Sequence, residues 1–138
     1  MQCDPVAYTG VDLSLPMVEH ARDAYVGNQS FRFQQGAVGL NANDYCIASG
    51  IFNLKFQYDD ASWRDYVVGT IEELNTFSLR GFAFNMLTIY SDADRMRADL
   101  YYPDPAFYFD LCKRRFSRNV ALLHDYELYE FTIIVRKS

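Results

Sequence analysis

Residues Tyr8 to Arg22, YTGVDLSLPMVEHAR, constrain the fold more than any other stretch of the chain. Val6, Ala7, Tyr8 and Val11 make a short, mostly apolar run that stops at Asp12, the pattern of a parallel strand buried on both faces. Ser14 is placed to N-cap a helix. Pro16 follows in the first turn, where a missing N–H has no intrahelical partner to lose. Met17, Val18, Ala21, Ala24 and Tyr25 recur at helical spacing, and Gly27-Asn28 ends the run. A strand that hands over directly to a helix implies an open α/β sheet, which binds ligands at the carboxyl ends of its strands. Asp12 is therefore a candidate binding residue. Its carboxylate can accept both hydroxyl protons of a ribose; the competing reading is a loop carboxylate near the positive end of a helix.

The remaining chain alternates in the same way. Phe31-Arg32-Phe33 with Gln34-Gln35-Gly36 reads as a second strand, and Gly36, Gly39, Asn41 and Asn43 mark a loop. Tyr45 to Ser49 reads as a buried strand ended by Gly50. Asp59 and Asp60 precede a helix from about Ala61 to Ser78 with the stripe Trp63, Tyr66, Val67, Ile71, Leu74 and Phe77, and Gly81 is its expected stop. Phe82 to Ile89 is the next strand, and Ser91 to Leu100 is polar and exposed. Asp104-Pro105 supplies a cap and first-turn proline for a helix to about Arg115. Val120 to Leu123 and Phe131 to Val135 are strands separated by only seven residues. That gap is too short for a helical crossover, so they pair antiparallel. The order β-α-β-β-α-β-α-β-β predicts a parallel sheet with one antiparallel strand near an edge.

Bulk properties narrow the function. A chain of 138 residues is one domain. The net charge of −5 disfavours nonspecific binding to nucleic acid or an anionic membrane. Cys3, Cys46 and Cys112 are widely spaced, with no CxxC pair, which points to free thiols in the cytoplasm. No apolar run has the length of a membrane helix, and no signal peptide opens the chain. Two histidines and three scattered cysteines give no metal-site spacing, so no metal is expected. His124-Asp125 offers a general-base pair, weighed against a surface hairpin between the last two strands. Lys113, Arg114, Arg115 and Arg118 suit the negative end of a helix dipole better than an RNA surface.

GVDLSLPMVEHAR, followed in order by DYCIASGIFN, GFAFNMLTIYSD, LYYPDPAFYFDLCKRRFSRNVALLHDYELYEF and TIIVRK, resembles the class I S-adenosylmethionine-dependent methyltransferases over nearly the whole chain. The resemblance implies a Rossmann-like sheet, mostly parallel with an antiparallel C-terminal strand. It also implies S-adenosylmethionine as cofactor and methyl transfer as the reaction. In that frame Asp12 binds the cofactor ribose and Ser49, beside Gly50, faces the sulfonium. Asn53 supplies an amide that orients an acceptor amine or hydroxyl. Where many members carry an acid for the adenine amino group, FQQGAVG has Ala37 after Gly36. Methyl transfer depends mainly on in-line positioning of two bound groups, so no catalytic triad is expected and the catalytic residues stay unassigned.

Members of the family begin with a strand, a glycine-rich turn and a helix that hold the cofactor. This chain starts after that unit would have ended, so residues 1–138 are expected to form a single truncated domain lacking the first strand and helix. In the complete fold the missing strand lies between those ending at Asp12 and Ser49. Each buried backbone group left unpaired costs roughly 1–3 kcal/mol, against a total stability of about 5–15 kcal/mol. The gap is therefore expected to close. Either the flanking strands pair directly, or a second copy or partner chain fills the space in an intertwined assembly. The functional expectation is a methyltransferase acting on a small molecule or other acceptor. The alternative is a non-catalytic remnant serving as a self-associating or small-molecule-binding module.

Overall fold

The structure, a computed structural model, describes residues 6–138. Cys3 lies outside the described residues. The chain divides into two compact units, one running to Leu40 and the other from Asn41 to Ser138.

The first unit contains β1 (Tyr8–Asp12), α1 (Leu15–Ala24) and β2 (Phe31–Gln35). β1 and β2 pair in parallel, with Tyr8 opposite Phe31 and Asp12 opposite Gln35. Tyr8, Tyr25, Phe31 and Phe33 gather with ring centroids 5.3 to 6.0 Å apart. Gly10 makes that gathering possible, because a Cβ there would lie 2.6 Å from Phe33 Cδ1. Arg22 ties the helix down by donating to the Phe33 carbonyl from Nε (3.2 Å) and a terminal nitrogen (2.9 Å). Burial is nonetheless thin. Val18 is the one buried residue of α1, and Tyr8 is 50% exposed. The expectation of a strand buried on both faces fails here, because two strands have a single helix of their own unit to cover them.

The second unit contains β3 (Asn43–Ala48), α2 (Asp60–Phe77), β4 (Ser78–Leu87), a 3-10 turn (Ala93–Arg95), α3 (Pro105–Arg115), β5 (Asn119–Leu123) and β6 (Glu130–Arg136). Its sheet runs β3-β4-β6-β5, with β3 parallel to β4 and β6 antiparallel to both neighbours. The expected mixed sheet and element order are therefore observed. Asp59 caps α2 by accepting the Ser62 N–H at 2.8 Å, and Asp104 caps α3 by accepting the Ala106 N–H at 2.9 Å. The helices bury one face of the sheet. Phe82, Phe84 and Met86 of β4 and Phe131, Ile133 and Val135 of β6 pack with Trp63, Val67 and Ile71 of α2 and Tyr108, Leu111 and Cys112 of α3. On the opposite face Ile47, Ala83, Ile134 and Ala121 stand in one row across the four strands.

Two expectations change. β3 was expected to be buried, but Tyr45 is 60% and Ile47 78% exposed, because β3 is an edge strand with helices on one side only. Gly81 does not stop α2. The chain turns extended at Ser78, and Gly81 lies inside β4, where a Cβ would sit 2.5 Å from the Val135 carbonyl oxygen of β6. Within its own unit, β1 pairs with β2 and β3 pairs with β4. Among the described residues, no helix is long and apolar enough to cross a membrane.

Candidate functional site

Asp12 ends β1, at the carboxyl end of a parallel strand as expected. Its Oδ1 accepts the Ser14 N–H at 2.8 Å, while the Ser14 side chain makes no cap of its own. The carboxylate is thereby oriented, and its second oxygen carries no protein hydrogen bond among the described residues. Around it, Gly36 N–H donates to the Asp12 carbonyl at 2.9 Å. Gln35 Nε2 donates to the Leu13 carbonyl at 2.9 Å, and Gln34 Nε2 to that of Gly36 at 2.8 Å. Both glutamines lie at the end of β2, and their side chains hold the backbone of adjoining loops.

In the second unit the segment after β3, Ser49 to Asn53, is pinned at three points. Phe52 is fully buried, edge-on to Phe84, and its carbonyl accepts Trp63 Nε1 at 2.9 Å. Asn53 Oδ1 accepts the Leu87 N–H at 3.2 Å, and its carbonyl accepts the Tyr101 N–H at 2.9 Å. Gly50 N–H donates to Asn85 Oδ1 at 2.7 Å, and Asn85 Nδ2 lies 3.4 Å from both Ser49 Oγ and Glu130 Oε2. Gly50 has φ +71°, a left-handed conformation that favours glycine, and a Cβ there would meet nothing within 4 Å. The backbone at this strand end is thus open to an approaching molecule.

Asn53 is partly committed: its carboxamide oxygen holds β4, which leaves its Nδ2 as the group able to donate outward. Asn85 and Glu130 were not read from the sequence as site residues. The available signal was an amide in the apolar run Phe82 to Leu87, on the register that alternates away from Phe84 and Met86. Glu130 is half-buried and makes no ion pair among the described residues.

The other candidates make different contacts. His124 sits in the β5–β6 hairpin, with Nε2 2.8 Å from Thr88 Oγ1 and its ring between Phe131 and Tyr90. It makes no hydrogen bond with Asp125 among the described residues, so the general-base pair is not formed. Burial pushes the Cys112 thiol up to about 12 and raises that of Cys46 against the opposing charge of Lys137. Both stay protonated near neutrality and are poor nucleophiles. In the basic run at the end of α3, Arg114 pairs with Asp110, Arg115 with Glu72, and Lys113 donates to the Arg118 carbonyl. Among the described residues no His, Cys, Asp or Glu side chains gather as a metal-ligand group.

No family model matches the chain. It is 52% identical over 131 residues to "Putative methyltransferase Rv1506c" of Mycobacterium tuberculosis (strain ATCC 25618 / H37Rv), a match spanning 95% of this chain and 79% of that protein. Its fold is similar to the crystal structure of magnesium protoporphyrin IX methyltransferase (ChlM) from Synechocystis PCC 6803 with bound SAH, at a TM-score of 0.65 and 14% identity. That likeness covers 94% of this chain and 64% of the other, so the chain spans just under two thirds of that structure.

Proposed function

Because this chain belongs to the class I S-adenosylmethionine-dependent methyltransferase family, we propose that it transfers a methyl group from S-adenosylmethionine to an acceptor at the carboxyl ends of its strands. The observation that carries the reading is Asp12, a strand-end carboxylate oriented through one oxygen by Ser14 with the other left to a ligand. The residues fit the cofactor's ribose, whose hydroxyls would donate to that carboxylate. When bound, the cofactor supplies an electrophilic sulfonium methyl. Ser49 and the open Gly50 backbone would admit the sulfonium end, and Asn53 Nδ2 would donate to one lone pair of an acceptor hydroxyl, leaving the other to attack the methyl. No glycine-rich turn among the described residues serves the cofactor's carboxylate end. A strand from a second copy or a partner chain would pair with the free edge of β1 or of β3. On this reading the protein works in the cytoplasm as a homodimer or a two-chain assembly.

Calorimetry with S-adenosylmethionine and S-adenosylhomocysteine tests this. Binding at micromolar concentration is expected. Asp12→Asn should weaken it by about 10- to 100-fold, because a charge-assisted hydrogen bond contributes about 1.5–3 kcal/mol. No heat up to millimolar ligand favours the second reading, a non-catalytic binding or self-associating module. That reading draws support from the Asn53 carboxamide oxygen, which is spent on holding β4.

A further inference from the structure

We propose that Asn85 is the positioning residue of the methyl-transfer end, holding the Ser49–Gly50 turn so that the serine hydroxyl and the open glycine backbone face the ligand. This inference rests on the methyltransferase reading. The pairing of β3 with β4 ends at Ala48 opposite Phe84, so the Gly50 N–H has no strand partner. Asn85, one residue further along β4, supplies a side-chain oxygen in place of a carbonyl, at 2.7 Å. Its register places it with Ala83 and Leu87, away from the helix-covered core. Both polar atoms of this amide are used. The oxygen takes Gly50, and the nitrogen lies between Ser49 Oγ and Glu130 Oε2, 3.4 Å from each. The segment therefore has two tethers to β4. Asn53 to Leu87 holds its far end, and Asn85 to Gly50 sets the near end, next to the proposed sulfonium position.

Glu130 makes the tether specific for an amide. Aspartate at position 85 would keep an oxygen for Gly50 but set a carboxylate against that of Glu130, and glutamine at position 130 would remove the conflict.

The test uses the full isotope-labelled chain as wild type, Asn85→Ala, Asn85→Asp and the double variant Asn85→Asp with Glu130→Gln. It follows the Gly50 amide by NMR and S-adenosylhomocysteine binding by calorimetry. Asn85→Ala should speed Gly50 amide exchange by about tenfold or more and weaken ligand binding by a similar factor, with the Leu87 amide unchanged. Asn85→Asp should be impaired, and adding Glu130→Gln should rescue both readouts. A folded Asn85→Ala chain that keeps wild-type Gly50 exchange and ligand affinity overturns the proposal, as does failure of the double variant to recover. Should Asn85→Ala not fold, the two aspartate variants decide. If the wild type binds no S-adenosylhomocysteine, the methyltransferase reading fails, and the Gly50 amide still reports separately whether Asn85 holds the turn.

Discussion

The two units follow the same local rules and reach different degrees of burial. Each pairs strands in parallel, starts its helices at a polar residue and contains a glycine where neighbouring atoms come close. In the second unit β4 and β6 each place three large side chains against two helices, and residues such as Phe84, Ile133 and Val135 are almost fully buried. In the first, two strands and one helix leave Tyr8, Val11, Leu13 and Met17 exposed. Burial, not local propensity, separates them. A helix or strand contributes little until its apolar side is covered, and the first unit has few surfaces of its own to do the covering.

Matched substitutions can break or sharpen this contrast. The largest gap is expected between Phe84→Ala and Phe33→Ala. The first removes a ring that touches Phe52, Phe82 and Tyr108 and should cost about 3–5 kcal/mol. The second removes a partly buried ring and should cost about 1–2 kcal/mol. Urea unfolding followed by circular dichroism measures both, and equal losses would show that the first unit is buried as deeply as the second.

A smaller gap is expected at the glycines. Gly81→Ala drives a Cβ into the Val135 carbonyl, where two paired backbones cannot part without breaking the ladder, and should cost about 1–3 kcal/mol. Gly10→Ala meets the Phe33 and Tyr8 rings, which can rotate toward solvent, and should cost less than Gly81→Ala in the same assay.

The smallest effect concerns the caps. The Ser62 backbone N–H, and after it the Ser62 hydroxyl, hold the Asp59 carboxyl below its usual value. A lowered folded pKa contributes stability that is present above the unfolded value, about 3.9, and is lost as pH falls through the folded one. Thermal unfolding should therefore show the wild type above Asp59→Asn near neutral pH, with the difference closing below about pH 4. Ser14→Ala should leave the melting temperature and its pH dependence unchanged, because the Ser14 side chain caps nothing. A loss there would mean that α1 depends on Ser14 as α2 depends on Asp59.

Much of the candidate site was legible in the chain because its signals are local. Asp12 ends an apolar run and Gly50 ends another, and each lies at a strand's carboxyl end in the structure. Asn53 reads from the sequence as an amide for an acceptor, and in the structure its carboxamide oxygen holds Leu87, a residue 34 positions away. Asn85 and Glu130 were passed over because each sits within or beside an apolar strand. Their meeting, at a separation of 45 residues, depends on how β4 and β6 register.

The amino-acid order by itself determined the succession of helices and strands, the cap at Asp104, and the antiparallel return of the last two strands. Those features depend on spacing over a few residues and on how little chain is available to turn. Only the tertiary structure decided that the strands divide between two sheets, which sheet face the helices cover, and that Gly81 serves a close strand contact rather than a helix end. Such outcomes depend on which distant surfaces exclude water together, and side-chain periodicity carries no record of the partner.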